Sequence, residues 1–194
     1  MKILAKDIVF ETDRLYAVEP SAVIAEKFFE NVTSDTKTSI YLSYRTHTDI
    51  NETIMKLAEW RIRNRSKADT DLTIIIHLKE TGEPIGSISI KSSKTDGYIG
   101  SYGHAFGSKF WNNGYASEIA KAFIDYWFKS KEKCIAIVAH YSMENAGSGK
   151  ALQKAGMEFM QASYNCNELS NKDSKPEISG TVQITREQWE KRNN

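Results

Sequence analysis

Trp111-Asn112-Asn113-Gly114-Tyr115-Ala116-Ser117-Glu118 is the stretch on which the reading of this chain turns. Before it, Ile99 to Phe106 reads as a strand. After it, Ala116, Ile119, Ala120, Phe123 and Trp127 recur at helical spacing, which predicts a helix packed on a sheet. The joining turn is built from residues that tolerate positive φ: Gly has no Cβ, and Asn visits left-handed backbone at low cost. Such a turn points several backbone N–H groups at one spot, where the positive end of the helix dipole also lies. A strand, an amide-lined turn and a helix together predict a phosphorylated ligand.

Outward from this unit, the chain alternates element types. Ile8 to Glu19 reads as a first strand ending at Pro20, and Ser21 caps a helix carrying Ala22, Ile24, Ala25, Phe28 and Phe29. Asp49 with Glu52 forms a capping box for a second helix, whose apolar stripe is read as Ile50, Ile54, Leu57, Ala58 and Ile62. The polar segment between these helices carries Ile40, Tyr41, Leu42 and Tyr44, aromatic and apolar anchors that also suit a substrate wall. Leu72 to Lys79 and Ile85 to Ile90 flank the turn Glu80-Thr81-Gly82-Glu83-Pro84 as a hairpin, with Ile88 and Ile90 facing one layer. A second turn around Lys94-Thr95-Asp96-Gly97 leads into Ile99. Cys134 to Ala139 reads as a strand covered on both faces, and Ala146 to Ala155 as a helix stopped by Gly156. Two last strands are expected, Glu158 to Tyr164 and Gly180 to Thr185, joined by the long polar connection Asn165 to Ser179. The order is that of an α/β domain with a mixed sheet and one parallel strand-helix-strand unit.

Composition limits the function classes. At 194 residues the chain suits one domain, 1–194, with a real core. Lys plus Arg number 26 and Asp plus Glu 25, with the charges scattered along the sequence, so no basic stripe argues for nucleic acid or an anionic membrane. No apolar run approaches membrane-spanning length, and the start Met1-Lys2-Ile3-Leu4-Ala5-Lys6-Asp7 is not expected to be a signal peptide. Cys134 and Cys166 lack metal-ligand spacing; they read as reduced thiols of a cytoplasmic protein, and no metal is expected.

Two signatures now stand in order: Phe110 to Glu118, and Glu144-Asn145-Ala146-Gly147-Ser148 leading into Ala151-Leu152-Gln153-Lys154-Ala155-Gly156-Met157. Together they resemble the two cofactor motifs of the GNAT superfamily of acyl-CoA-dependent N-acetyltransferases. More narrowly they resemble the branch of ribosomal-protein N-terminal alanine acetyltransferases (RimJ/RimL-type). Phe10-Glu11-Thr12-Asp13-Arg14-Leu15 and Thr81 to Ile88 resemble further stretches of that branch, so the likeness runs from about Ile8 to Trp189. It implies a GNAT-like α/β fold, with a mixed, mostly antiparallel sheet of about seven strands flanked by about four helices and splayed at the cofactor cleft. It also implies acetyl-CoA as co-substrate and an acceptor that is a protein N-terminus or a small-molecule amine, an antibiotic amine included. Dimers occur in such families. A non-catalytic acyl-CoA sensor is the alternative. A nucleotide-hydrolysing phosphate loop is disfavoured because no Gly-Lys-Ser/Thr follows the turn.

The resemblance assigns residues as follows. Trp111, Asn112, Asn113, Gly114, Tyr115 and Ala116 would cradle the pyrophosphate, with Asn112 standing where the branch usually has Gly. Ala105 and Phe106, on the strand from Gly103, would pair with the pantetheine arm, a backbone N–H near Phe106 serving the oxyanion. Asn145 would hold the pantetheine amide or cap its helix. Many relatives place a thiolate-protonating Tyr four residues before the second-motif Gly; here that position is Leu152, and the branch implies Ser148 instead, with Tyr141 in reserve. His104 is a candidate base because histidine titrates near neutrality. Glu168 lies near a carboxylate that some branch members carry, although Asn167 is the residue that aligns without gaps, and water is a further candidate. Glu118 reads as a favourable dipole partner in the helix's first turn, and Lys150 as a solvated lysine or a ribose-phosphate contact.

Overall fold

The computed structural model describes residues 8–42, 44–67, 70–92, 98–165 and 177–193. These form eight strands and six helices: β1 Ile8–Glu11, β2 Leu15–Val18, α1 Ala25–Phe28, α2 Thr36–Ser39, α3 Ile50–Ser66, β3 Leu72–Leu78, β4 Pro84–Ser92, β5 Tyr98–Phe106, α4 Tyr115–Ser130, β6 Cys134–Ser142, α5 Ala146–Lys154, β7 Glu158–Asn165, β8 Glu177–Thr185 and α6 Arg186–Asn193. One sheet runs β1-β2-β3-β4-β5-β6-β8-β7, and every neighbouring pair is antiparallel except β5–β6. The α/β class and the mostly antiparallel sheet stand as expected.

The counts differ where local pattern is silent. The first expected strand is two, folded back at Thr12, whose N–H bonds Leu15 O at 2.9 Å while its hydroxyl accepts from Leu15 N–H at 3.1 Å. The expected helix after Ser21 is a 3-10 turn at Ala22–Ile24, then α1, then a wide π-turn at Phe29–Thr33. The unexpected α6 is held by long-range contacts: the Arg186 guanidinium donates to Cys134 O at 2.8 Å and Lys131 O at 2.6 Å, and the Trp189 indole N–H to Asp125 at 2.6 Å. The turn expected at residues 94–97 lies outside the described residues.

Alternation along β3 divides the molecule into two layers. Ile74 and Ile76 face the larger core with α4 and α5, where Ile119, Ala120, Phe123 and Trp127 are buried as the helical spacing predicts. Ile75 faces the smaller core with α1 and α3. The expected stripe of α3 holds at Leu57 and fails elsewhere: Ile54 and Ala58 are exposed and Ile62 is 67% exposed, while the buried face is Thr53, Leu57, Trp60 and Asn64. Two polar residues belong inside because each finds partners there. Asn64 donates to Thr73 O at 2.7 Å and accepts from Thr73 N–H at 2.8 Å, clamping α3 to β3, and Thr53 shares hydrogen bonds with Thr33 and His47. Nor is β6 covered on both faces, since Ile135 is half exposed.

The feature that positions the site is a split in the sheet. β5 pairs with β6 only from Tyr98 to Tyr102; beyond that β5 stays with β4, while β6 continues from His140 to Ser142 against β8. Gly107 N–H bonds Ile85 O at 3.1 Å, so by strand alternation the backbone groups of His104 and Phe106 turn to the open edge. Tyr141 fills the base of the wedge between Gly149 and Gly180, where an added Cβ would lie 2.5 and 2.6 Å from its ring.

Candidate active site

β5 ends in the turn that opens α4. Among the described residues Asn112 is the one non-glycine with positive φ, at 63°, and Gly114 follows at 77°. The left-handed backbone expected at Asn112 is therefore present. Gly114 is the N-cap of α4 and has no side chain to satisfy the first-turn N–H groups, which are left facing outward. Asn113 does not face the cleft; its amide braces the turn, donating to Phe110 O at 3.2 Å and Trp111 O at 3.0 Å.

The first hairpin holds this turn from behind. Arg14 donates to Asn113 O at 3.1 Å and to Glu118 at 2.7 Å, its guanidinium lying 4.6 Å over the Tyr115 ring. Thr12 donates to the other oxygen of Glu118 at 2.6 Å. Burial pushes the Glu118 carboxyl up, but these hydrogen bonds from Thr12 and Arg14 outweigh it and hold the group below the usual carboxylate range. Glu118 is thus a brace between β1–β2 and α4 as well as a dipole partner. On the other side, the Trp111 indole N–H and the Thr38 hydroxyl both donate to Phe106 O, at 2.7 and 3.0 Å. Asp35, at the N-cap of α2, accepts from Ser108 N–H at 2.6 Å. α2 was missed in the sequence because four residues carry no period.

Inside the wedge, residues 44 apart meet: Ser148 Oγ lies 3.5 Å from His104 Nε2. Asn145 is the N-cap of α5, its side-chain oxygen accepting from Ser148 N–H at 3.1 Å, which leaves the serine hydroxyl free of the capping bond. Leu152, the position of the missing Tyr, is core. His104 is half-buried between Tyr102 and Phe106, with ring centroids at 5.7 and 5.8 Å, and among the described residues its Nδ1 is sealed without a partner. Desolvation pushes its imidazole from 6.5 down to about 4. This argues against His104 as a strong base at neutral pH. Glu168 lies outside the described residues.

The low value has a stability consequence. An unfolded His104 binds its proton near 6.5 and the folded one near 4, so between these values the unfolded chain carries more protons and acid favours unfolding. Burial lowers His47 and His77 too, adding in the same direction. The urea midpoint should therefore fall as pH drops from 6.5 toward 4, and fall less steeply in His104→Phe. An identical slope in the variant would mean that His104 is not sealed from solvent.

These parts line a cleft of about 720 Å³ that passes through the split sheet. Ala105, Phe106, Trp111, Asn112, Gly114, Tyr115, Ala116, Asn145, Ser148 and His104 all border it, as do Tyr41, Leu42 and Tyr44 from the aromatic loop. On the α3 side its floor is Thr73, Ser87, Ser89 and Gly103, with Trp60 above. The signal for this floor was present in the alternation of Ile85-Gly86-Ser87-Ile88-Ser89-Ile90, whose small polar positions all face away from the larger core.

Comparison with known proteins agrees with this geometry. A curated relative, the uncharacterized protein YkkB of Bacillus subtilis (strain 168), is 30% identical over 103 residues, 52% of this chain. The chain spans 58% of the length of that relative. Among solved structures, the RimL ribosomal L7/L12 alpha-N-protein acetyltransferase in complex with coenzyme A is 11% identical with a TM-score of 0.79, covering 92% of this chain and 97% of that one. The microcin C7 self-immunity acetyltransferase MccE, solved with acetyl-CoA and AMP, is 14% identical with a TM-score of 0.77, covering 90% and 93%. At such identities the likeness is one of fold. The family model for the acetyltransferase (GNAT) domain matches residues 14–158, which include the braced turn, the split strand and Ser148, and the chain therefore belongs to the GNAT acetyltransferases.

Proposed function

We propose that the chain, as one acyltransferase domain over 1–194, transfers the acetyl group of acetyl-CoA to a primary amine by direct attack in a ternary complex. The observation that carries this reading is one continuous cleft joining three features: the uncapped start of α4, the open edge of β5, and the Ser148–His104 pair. The residues fit the cofactor. The turn through Asn112 and Gly114 presents amides to a pyrophosphate without a basic side chain, and the β5 edge offers peptide-like pairing to the pantetheine arm. RimL and MccE were solved with coenzyme A and acetyl-CoA, which supports the same cofactor here.

The chemistry is a displacement in which a C–N bond forms and the thioester C–S bond breaks. The Phe106 N–H, on the open edge, would take the negative charge that grows on the carbonyl oxygen. Nδ1 of His104 has no acceptor, so the proton of the neutral ring sits on Nε2, which donates toward Ser148 Oγ. The serine O–H is then free to protonate the leaving sulfur, and its proton is restored from the water that takes up the amine's proton. The contact of 3.5 Å is long, and such bonds tighten when substrate fills a site. The amine's proton leaves through water on the hydroxyl-lined floor of Thr73, Ser87 and Ser89. Acceptors of this reading are a protein N-terminal α-amine or a small-molecule amine.

Calorimetry with acetyl-CoA and its 3′-dephospho analogue, followed by thiol release with an amine panel, tests the reading. Binding that weakens without the 3′-phosphate, plus amine-dependent thiol release, is the expected result. No binding at millimolar cofactor overturns it. Binding without release from any amine would leave an acyl-CoA sensor.

A further inference from the structure

The charges that are scattered along the sequence are segregated in space. Five cationic side chains line the cleft, Lys56, Arg63, Lys91, Lys150 and Lys154, and among the described residues no carboxylate does. A chain with 26 basic and 25 acidic residues has no compositional reason for that. The five fall in two groups on opposite faces of the sheet. Lys150 and Lys154 are one turn apart on α5, which packs with α4 in the larger core, on the side of the phosphate turn. Lys56 and Arg63 lie on α3, which covers the other face with the smaller core. Lys91 shares that face, since it follows Ser87 and Ser89 at alternate positions of β4 and sits opposite Ser101.

Lys56 and Arg63 are held in place rather than loose in solvent. Lys56, Trp60 and Arg63 share one side of α3, which Asn64 clamps to β3 through both Thr73 bonds. The Lys56 ammonium lies 5.8 Å over the Trp60 ring, and the Lys56 and Arg63 side chains are only 29% and 28% exposed. Both pair with Glu59, at 2.9 and 2.6 Å, so these two cations share one anion, and that anion does not border the cleft. Tyr44 borders the same cleft, and among the described residues its buried hydroxyl has no partner, a donor with nothing to donate to.

We infer that the acceptor is an amine carrying an anionic group, a carboxylate or a phosphate, which Lys56, Arg63 and Lys91 bind while Tyr44 donates to it or to a neighbouring acceptor atom. This rests on the acetyl-transfer reading above and narrows it. Coenzyme phosphates at the start of α4 would lie on the other face of the sheet, and Glu59 sets one negative charge against Lys56, Arg63 and Lys91, so the α3 side keeps an excess of positive charge for an anion of the acceptor. A polycationic amine, such as a polyamine or a polyamino antibiotic, meets like charge on the α3 side of the cleft. The anion's source is either an acidic residue next to a peptide N-terminus or a phosphate or carboxylate on a small amine.

Thiol release is measured with matched acceptors: the dipeptide amides Ala-Glu, Ala-Gln and Ala-Lys in one arm, and phosphoethanolamine against ethanolamine in the other. In at least one arm the anionic member should have a kcat/KM about tenfold or more above its neutral partner, and Ala-Lys should be the poorest peptide. The arm that shows the preference identifies the source. Lys56→Gln/Arg63→Gln should bring the anionic-to-neutral ratio to within about twofold, and rising salt should compress it in the wild type. Lys91→Gln, at an exposed strand position, is a milder variant expected to reduce the same ratio, with acetyl-CoA binding by calorimetry as the check on folding. Equal kcat/KM across each matched set, or a preference for Ala-Lys, overturns the assignment while leaving acetyl transfer standing. Absence of release with every acceptor overturns both.

Discussion

Replacing Ser148 by Ala is expected to lower the kcat of thiol release about 100-fold while acetyl-CoA affinity stays within about twofold, because under the proposed mechanism only the proton donor to the leaving sulfur is lost. The structure explains why such a clean separation is available. The start of α5 is capped by Asn145 onto the backbone N–H of Ser148, a bond that Ala keeps. Alanine is also a good helix residue, so the element that carries position 148 should remain in place. Ser148→Cys, which retains a donor, should recover part of the lost turnover. His104→Phe removes the group that orients the serine and should cost less than Ser148→Ala. Calorimetry on each variant separates the cases: equal losses of affinity and turnover in Ser148→Ala would demote the serine to a cofactor contact.

Gly114→Val should weaken acetyl-CoA binding about 10- to 100-fold, through backbone conformation rather than crowding. An added Cβ would meet Arg14 at 3.6 Å, an ordinary contact, so space is not the constraint. The constraint is the φ of 77°, which a β-branched residue avoids. Relief of that strain swings the turn and scatters the amides that converge at the start of α4. Gly114→Asn is the informative partner, since Asn tolerates this backbone and should keep most of the affinity. If Val and Asn weakened binding equally, or neither did, the phosphate-turn assignment would fail.

The parts legible in the sequence are those whose cause is local. Asn112 and Gly114 tolerate the left-handed backbone that their turn requires, and the period of α4 declares its buried face. The β3–β4 hairpin follows from its turn residues, and the Asn145 cap from its side chain. Residue roles read through family likeness were less uniform. Ser148 and His104 do meet, but desolvation changes what the histidine can do, and the side chain of Asn113 braces the turn.

Where polar groups are buried, the local pattern misled. The face of α3 was misread because Thr53 and Asn64 count as solvent-seeking until their partners Thr33, His47 and Thr73 are known. The first strand was read through its own turn because the Thr12 and Arg14 contacts that stabilise the turn include Glu118, more than 100 residues away.

By itself, the sequence determined the strand-turn-helix unit and the buried face of α4, since dihedral preference and hydrophobic period act within a few residues. The tertiary structure alone decided where β5 leaves β6, that β8 rather than β7 follows β6, that Ser148 faces His104, and that five cations of a nearly neutral chain border one cleft. Those outcomes depend on which distant surfaces meet and lose water together, and no stretch of sequence carries that information in its own composition.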